Sequence, residues 1–163
     1  MSSILALKQR NAVHLLADSV SKVEHWIEVG ILKADRSGTT VDLPQSEISI
    51  ARMLRASVNR RVLVDDAMRF LADYFRSALN RDEHSAGERE AIEAAQSGEA
   101  AFLAIRLVEA PARPGGYSIN ASGHSDRESA ALWLRESDKD ARALVLATVE
   151  LVAALKPLKA RRS

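Results

Sequence analysis

Between Val62 and Leu79 the residues Val64, Ala67, Met68, Leu71, Tyr74, Phe75 and Leu79 recur three and four positions apart, which is the signature of one apolar side on a helix. A stripe this long obliges the chain to bury it, either against its own neighbouring elements or against a partner chain. The other side carries Asp65, Asp66, Arg69, Asp73 and Arg76. With 163 residues the chain can build one compact domain, or a small module followed by a second. Hydrophobic residues at 47% against 28% charged are a globular balance, and aromatics at only 4% leave the core to Leu, Val, Ile and Ala. The absence of cysteine excludes disulfides, thiolate metal sites and a cysteine nucleophile.

Before the stripe, Leu5–Leu16 is helical in pattern and Ala17-Asp18-Ser19 breaks it. A second helix is expected from Val20 to Val29, with Ser19 as its cap, Val23, Trp26 and Ile27 inward, and Gly30 as its stop. Ile31–Leu43 reads as a small hairpin: Ile31-Leu32 enters, Arg36-Ser37-Gly38 turns, and Thr39-Thr40-Val41 returns. Pro44 opens a further helix that runs to about Ala56. Beyond the stripe, Glu88–Gln96 is helix-prone, with Ser85 and Glu88 at capping-box spacing, and Ser97-Gly98 ends it. Phe102–Glu109 and Tyr117–Ala121 read as strands around a Pro- and Gly-rich turn. Ala130–Arg135 suits a third strand, although Ser125 and Glu128 also have the spacing to start a helix. A long last helix is expected from Ser137 to Leu155. Leu144, Val145, Leu146, Val149, Leu151, Val152 and Leu155 would lie on most of its sides, so it would sit under a sheet or in a dimer interface.

The order helix, turn, helix, glycine and hairpin within Leu5–Val58 gives this chain its most specific pattern. Leu16-Ala17, Val20-Ser21, Val23, Trp26, Gly30, Ile31-Leu32 and the segment Lys33–Val41 follow one another as in a winged helix-turn-helix. This third of the chain resembles the MerR-type regulators and phage excisionases. The resemblance implies a second helix that enters the major groove and a wing that approaches the adjacent backbone. It puts Ser19, Ser21, Lys22 and His25 on or near the DNA-facing side, with Lys33 and Arg36 on the wing. Ser19 and Ser21 suit phosphate, and Lys22 suits guanine or phosphate. Glu24 stands where such proteins usually carry Arg, and a carboxylate there is repelled by phosphate.

The fold expected is therefore mainly α with a small β component: a winged helix-turn-helix at 1–58, a helical connector at 59–98 and a small α+β unit at 99–163. The function expected is a DNA-binding transcription regulator rather than an enzyme, with double-stranded DNA and a second copy of the chain as partners. A phage-type excisionase or terminase-small-subunit-like protein, and a protein-interaction module that kept the fold without DNA, are the alternatives. Net charge is +1, but residues 1–60 hold eight Lys/Arg against six Asp/Glu, 61–100 hold five against nine, and 101–163 hold ten against seven. An acidic middle thus separates two mildly basic ends. His14, His25, His84 and His124 are scattered without metal-ligand spacing, and no phosphate-binding glycine loop or catalytic triad stands out. No metal and no cofactor are expected, and a small-molecule effector stays open. No apolar stretch approaches the roughly 20 residues of a membrane span, and the first residues lack a signal-peptide pattern, so a cytoplasmic location is expected.

Overall fold

The computed structural model describes residues 5, 20–57, 64–80, 86–137 and 143–157. Helix α1 (Val20–Glu28) leads to the hairpin β1 (Asp35–Ser37) and β2 (Thr40–Asp42), and then to α2 (Gln45–Ser57). Helices α3 (Asp65–Leu79) and α4 (Ala86–Gln96) follow. Strand β3 (Phe102–Glu109) pairs through a turn with β4 (Tyr117–His124), and α5 (Arg127–Ser137), β5 (Ala143–Glu150) and the short α6 (Leu151–Ala154) complete the described chain. The architecture is mixed, 52% helical and 26% strand, so β structure is a larger part of it than expected.

α1 buries Val23, Trp26 and Ile27. It ends where Gly30 takes the left-handed conformation (φ 82°), which lets the Gly30 amide donate to the Ile27 carbonyl (3.2 Å) and the Ile31 amide to that of Trp26 (2.8 Å). This pair of bonds satisfies carbonyls that a helix end otherwise leaves open. The hairpin pairs Asp35 with Asp42, Arg36 with Val41 and Ser37 with Thr40, so its turn is Gly38-Thr39. The expected turn at Arg36–Gly38 is thus shifted. Gly38, with φ 61°, supplies the positive dihedral that a two-residue hairpin needs at its first turn position, which puts Arg36 within β1. Leu5 joins Val41 by a parallel bridge and is buried.

The three long strands form one antiparallel sheet in the order β4-β3-β5. Leu103, Ala104, Ile105 and Leu107 of the central strand have no exposure at all, so both faces of the sheet are covered. Leu103, Ile105 and Val149 join Ile48, Met53, Leu54, Leu71, Phe75 and Ile92 in one buried cluster that also reaches Val23, Trp26 and Leu5. α5 packs against β3, β4 and β5 on the opposite face, with Ala130 buried, Arg127 5.1 Å from the Phe102 ring and Trp133 6.4 Å from the His124 ring.

The structure corrects two expectations for the final third. Ala130–Arg135 is part of helix α5, not a strand. Asp126 caps it, its carboxylate accepting the Ser129 amide at 2.7 Å, so the cap is the residue after Ser125. The long last helix is instead strand β5 followed by a single helical turn. Val145, Ala147 and Val149 alternate into the core beside Leu107, Ile105 and Leu103. Of this segment, expected under a sheet or in a dimer interface, Val145, Ala147, Val149, Leu151 and Ala154 are buried within the chain itself. Val64, expected on the stripe of α3, is 66% exposed just before that helix begins.

Candidate nucleic-acid interface

α1 turns its apolar side fully inward, which leaves Ser21, His25 and Glu28 exposed and Lys22 and Glu24 half-buried. Ser19 lies outside the described residues, as does the expected first helix apart from Leu5, together with His14, Ser85 and His84. Lys22 lays its ammonium 5.9 Å from the centre of the buried Trp26 ring, within the range of a cation–π contact. His25 Nε2 lies 3.3 Å from both carboxylate oxygens of Asp65, the first residue of α3. Lys33 and Arg36 are exposed, Arg36 opposite Val41 on the hairpin. The structure therefore brings Ser21, Lys22 and His25 together on one helix, with Arg36 on the hairpin that follows and Lys33 on the segment that leads into that hairpin rather than on the wing itself.

Carboxylates share these elements. From α1 through the hairpin, Lys22, Lys33 and Arg36 supply three positive charges and Glu24, Glu28, Asp35 and Asp42 four negative ones, while at the start of α3 Asp65 faces His25 and Asp66 pairs with Arg69. Asp35 and Asp42 are direct cross-strand neighbours, a like-charge pairing that costs stability. Among the described residues, these carboxylates interrupt any positive ridge along Lys22, Lys33 and Arg36.

The groups that hold this surface in place come from α2 and α3. Arg69 Nη2 donates to the Val29 carbonyl (2.8 Å) and Arg76 Nη2 to the Ile31 carbonyl (2.5 Å). Two guanidinium groups thus take up carbonyls just past the C-terminal end of α1, the Arg69 group lying beside the negative end of that helix, where a cation is favoured. Arg76 also grips Glu47 of α2 with two parallel contacts, Nη2–Oε1 at 2.7 Å and Nε–Oε2 at 3.0 Å, and reaches Asp73 at 2.7 Å. Glu47 in turn accepts the Lys33 amide at 2.6 Å. The side chains of Arg76 and Glu47 are only 13% and 7% exposed. One buried ion pair therefore fixes the α1–hairpin connection against both α2 and α3. Sequence reasoning does not find it. In the sequence Arg76 is only a charge on the polar side of α3, and Glu47 only a first-turn acid of α2.

Among the described residues no group of three His, Cys, Asp or Glu side chains is placed to hold a metal ion, and no helix is long and apolar enough to cross a membrane. No family model, no curated protein and no solved structure matches this sequence.

Proposed function

We propose that the chain is a DNA-binding transcription regulator in which residues 5–57 act as a winged helix-turn-helix, with α1 as the recognition helix and the β1–β2 hairpin as the wing. The observation that carries this reading is the treatment of α1. Its apolar side is sealed in the core, two arginines of α3 hold its C-terminal end, and its outward side offers Ser21 and His25 one turn apart. A short helix held this firmly at its rear edge can present side chains to base edges without losing its register. The bridge from Leu5 to Val41 ties the start of the unit to the hairpin. Regulators of this kind read two half-sites as pairs, so the reading includes a homodimer.

The test is selection of duplexes from a random pool by the purified full chain, followed by titration of the selected duplex against salt. Log affinity is expected to fall linearly with log salt. Lys22→Ala and Arg36→Ala each remove one cation that would neutralise a phosphate, and each is expected to make that slope shallower by about 0.9. A selection without a motif, together with an affinity weaker than about 100 µM at physiological salt, would remove the reading.

One observation favours a second reading, a protein-interaction module. The four carboxylates against three cations from α1 through the hairpin, with Asp65 beside His25, make a surface better suited to a basic protein partner than to phosphate. Under that reading the same titration gives no salt-dependent DNA binding.

A further inference from the structure

The β4-β3-β5 sheet has two edges, and they differ in character. β5 breaks register with β3 near Val108, ends on Glu150 and has α2 packed against it. β4 runs from Tyr117 to His124 in unbroken register with β3, without Lys, Arg, Asp, Glu or Pro, and none of its residues is buried. Bulges, charges and prolines are what keep an edge strand from pairing further, and β4 has none of them. Two bonds fix which way its backbone points. The Leu151 amide donates to the Ala101 carbonyl (3.0 Å), and the Ala110 amide to that of Gly116 (2.9 Å). Odd-numbered residues of β3 therefore turn amide and carbonyl to β5, and even-numbered ones to β4. In β4 the even-numbered residues bond back to β3, and Tyr117, Ile119, Ala121 and Gly123 turn theirs to the open edge. Among the described residues no protein group bonds to that edge.

We infer that β4 pairs with β4 of a second copy of the chain, antiparallel about a twofold axis at Asn120, so that the two sheets become one. In that register every outward-turned residue meets another. Tyr117 stands opposite Gly123 of the second copy and Ile119 opposite its Ala121, and these pairs supply about eight hydrogen bonds. On that face each large side chain meets a small one. On the other face Ser118 stands opposite Ser122 and Asn120 opposite its own copy, so polar groups meet polar groups. With no carboxylate, lysine or arginine on it, β4 meets itself without like-charge contacts. The pairing gives the homodimer of the proposed function a surface, but it rests on β4 alone and not on α1.

The experiment is sedimentation equilibrium of the full chain without DNA, joined to site-specific cross-linking. The parent is expected to form a dimer of its 17.8 kDa chains at micromolar concentration. Ala121→Pro removes an amide that points outward and spares the ladder to β3. It should keep the parent's circular dichroism and raise the dissociation constant about tenfold or more. The chain has no cysteine, so a single introduced thiol reports only on its own copy. Asn120→Cys should close to a covalent dimer under mild oxidation, because the two Cα atoms would lie about 4.5 Å apart. Ser118→Cys should stay open, since its two copies would lie about 14 Å apart in this register. Three results overturn the proposal: the parent stays monomeric up to submillimolar concentration, folded Ala121→Pro dimerises as well as the parent, or Ser118→Cys cross-links as readily as Asn120→Cys. A monomer would leave the edge to a strand of another protein. None of these results decides whether α1 meets a duplex, so the two readings fail separately.

Discussion

Arg76→Met is expected to destabilise the protein by about 3–5 kcal/mol, measured by urea unfolding. The substitution keeps most of the side-chain volume but strips Glu47 of its guanidinium, leaving a carboxylate that is 7% exposed with the Lys33 amide to share its charge. A buried charge without its partner costs far more than the intact pair contributes. The same change releases the Ile31 carbonyl at the exit of α1. Glu47→Gln should cost less, because Arg76 keeps Asp73 and the Ile31 carbonyl. In the double variant Arg76→Met with Glu47→Leu, part of the stability should return, and the cycle should show a coupling of about 1–3 kcal/mol. With folded domains stable by only about 5–15 kcal/mol, Arg76→Met removes a large share. A destabilisation under about 1 kcal/mol would mean that this pair does not bind α1, α2 and α3 together.

Gly123→Ala comes next in size, at about 2–3 kcal/mol, or a fall of about 5–10 °C in Tm. Gly123 is an ordinary strand residue, so the requirement is for space. A Cβ there would lie 2.2 Å from the Gly87 carbonyl oxygen and 2.8 Å from Ala91 Cβ. The nearer obstacle is helix backbone, which cannot rotate away, so α4 would have to move off the sheet. Gly87→Ala is the matched control. Its Cβ would meet nothing within 4 Å, and it should stabilise α4 by up to about 1 kcal/mol. Thermal melts of the two variants should therefore shift in opposite directions, and a shared direction would contradict the close approach of β4 to α4.

Several elements are legible in the sequence because local pattern and tertiary burial agree. The stripe of α3 buries Ala67, Met68, Leu71 and Phe75 as its spacing requires, Gly30 ends α1, and Phe102–Glu109 is a strand over its whole expected length. β5 reads as a helix for a physical reason. Its inner positions face the core and its other side lies under α5, so Ala-Leu-Val-Leu-Ala-Thr-Val loses the polar alternation that marks a one-sided strand. An apolar run of that kind looks the same as a helix buried all round. The Ala-Ala-Leu-Trp-Leu-Arg run of α5 presents the converse ambiguity, and the cap on Asp126 decides it. On the candidate site, Ser21, Lys22, His25, Lys33 and Arg36 can be nominated from sequence, but what restrains them cannot. Glu47 and Arg76 are 29 residues apart, and His25 and Asp65 are 40 apart, and only the tertiary fold makes them neighbours. The charge balance is equally hidden, because Asp65 belongs to another helix in sequence and reaches α1 through His25.

Glu24→Arg bears most directly on α1 as a DNA-facing helix. Glu24 is half-buried on the helix that carries Ser21 and His25, so its charge acts at close range on whatever that surface meets. The measurement is fluorescence anisotropy of a labelled duplex titrated with parent and variant at low and at physiological salt. If α1 faces the duplex, replacing a carboxylate with a guanidinium removes a repulsion and adds a phosphate contact. Affinity should then rise, most strongly at low salt, and the salt slope should steepen by about 0.9. An affinity and a slope both unchanged by the substitution would contradict the account, and the acidic surface of α1 would then belong to a protein partner.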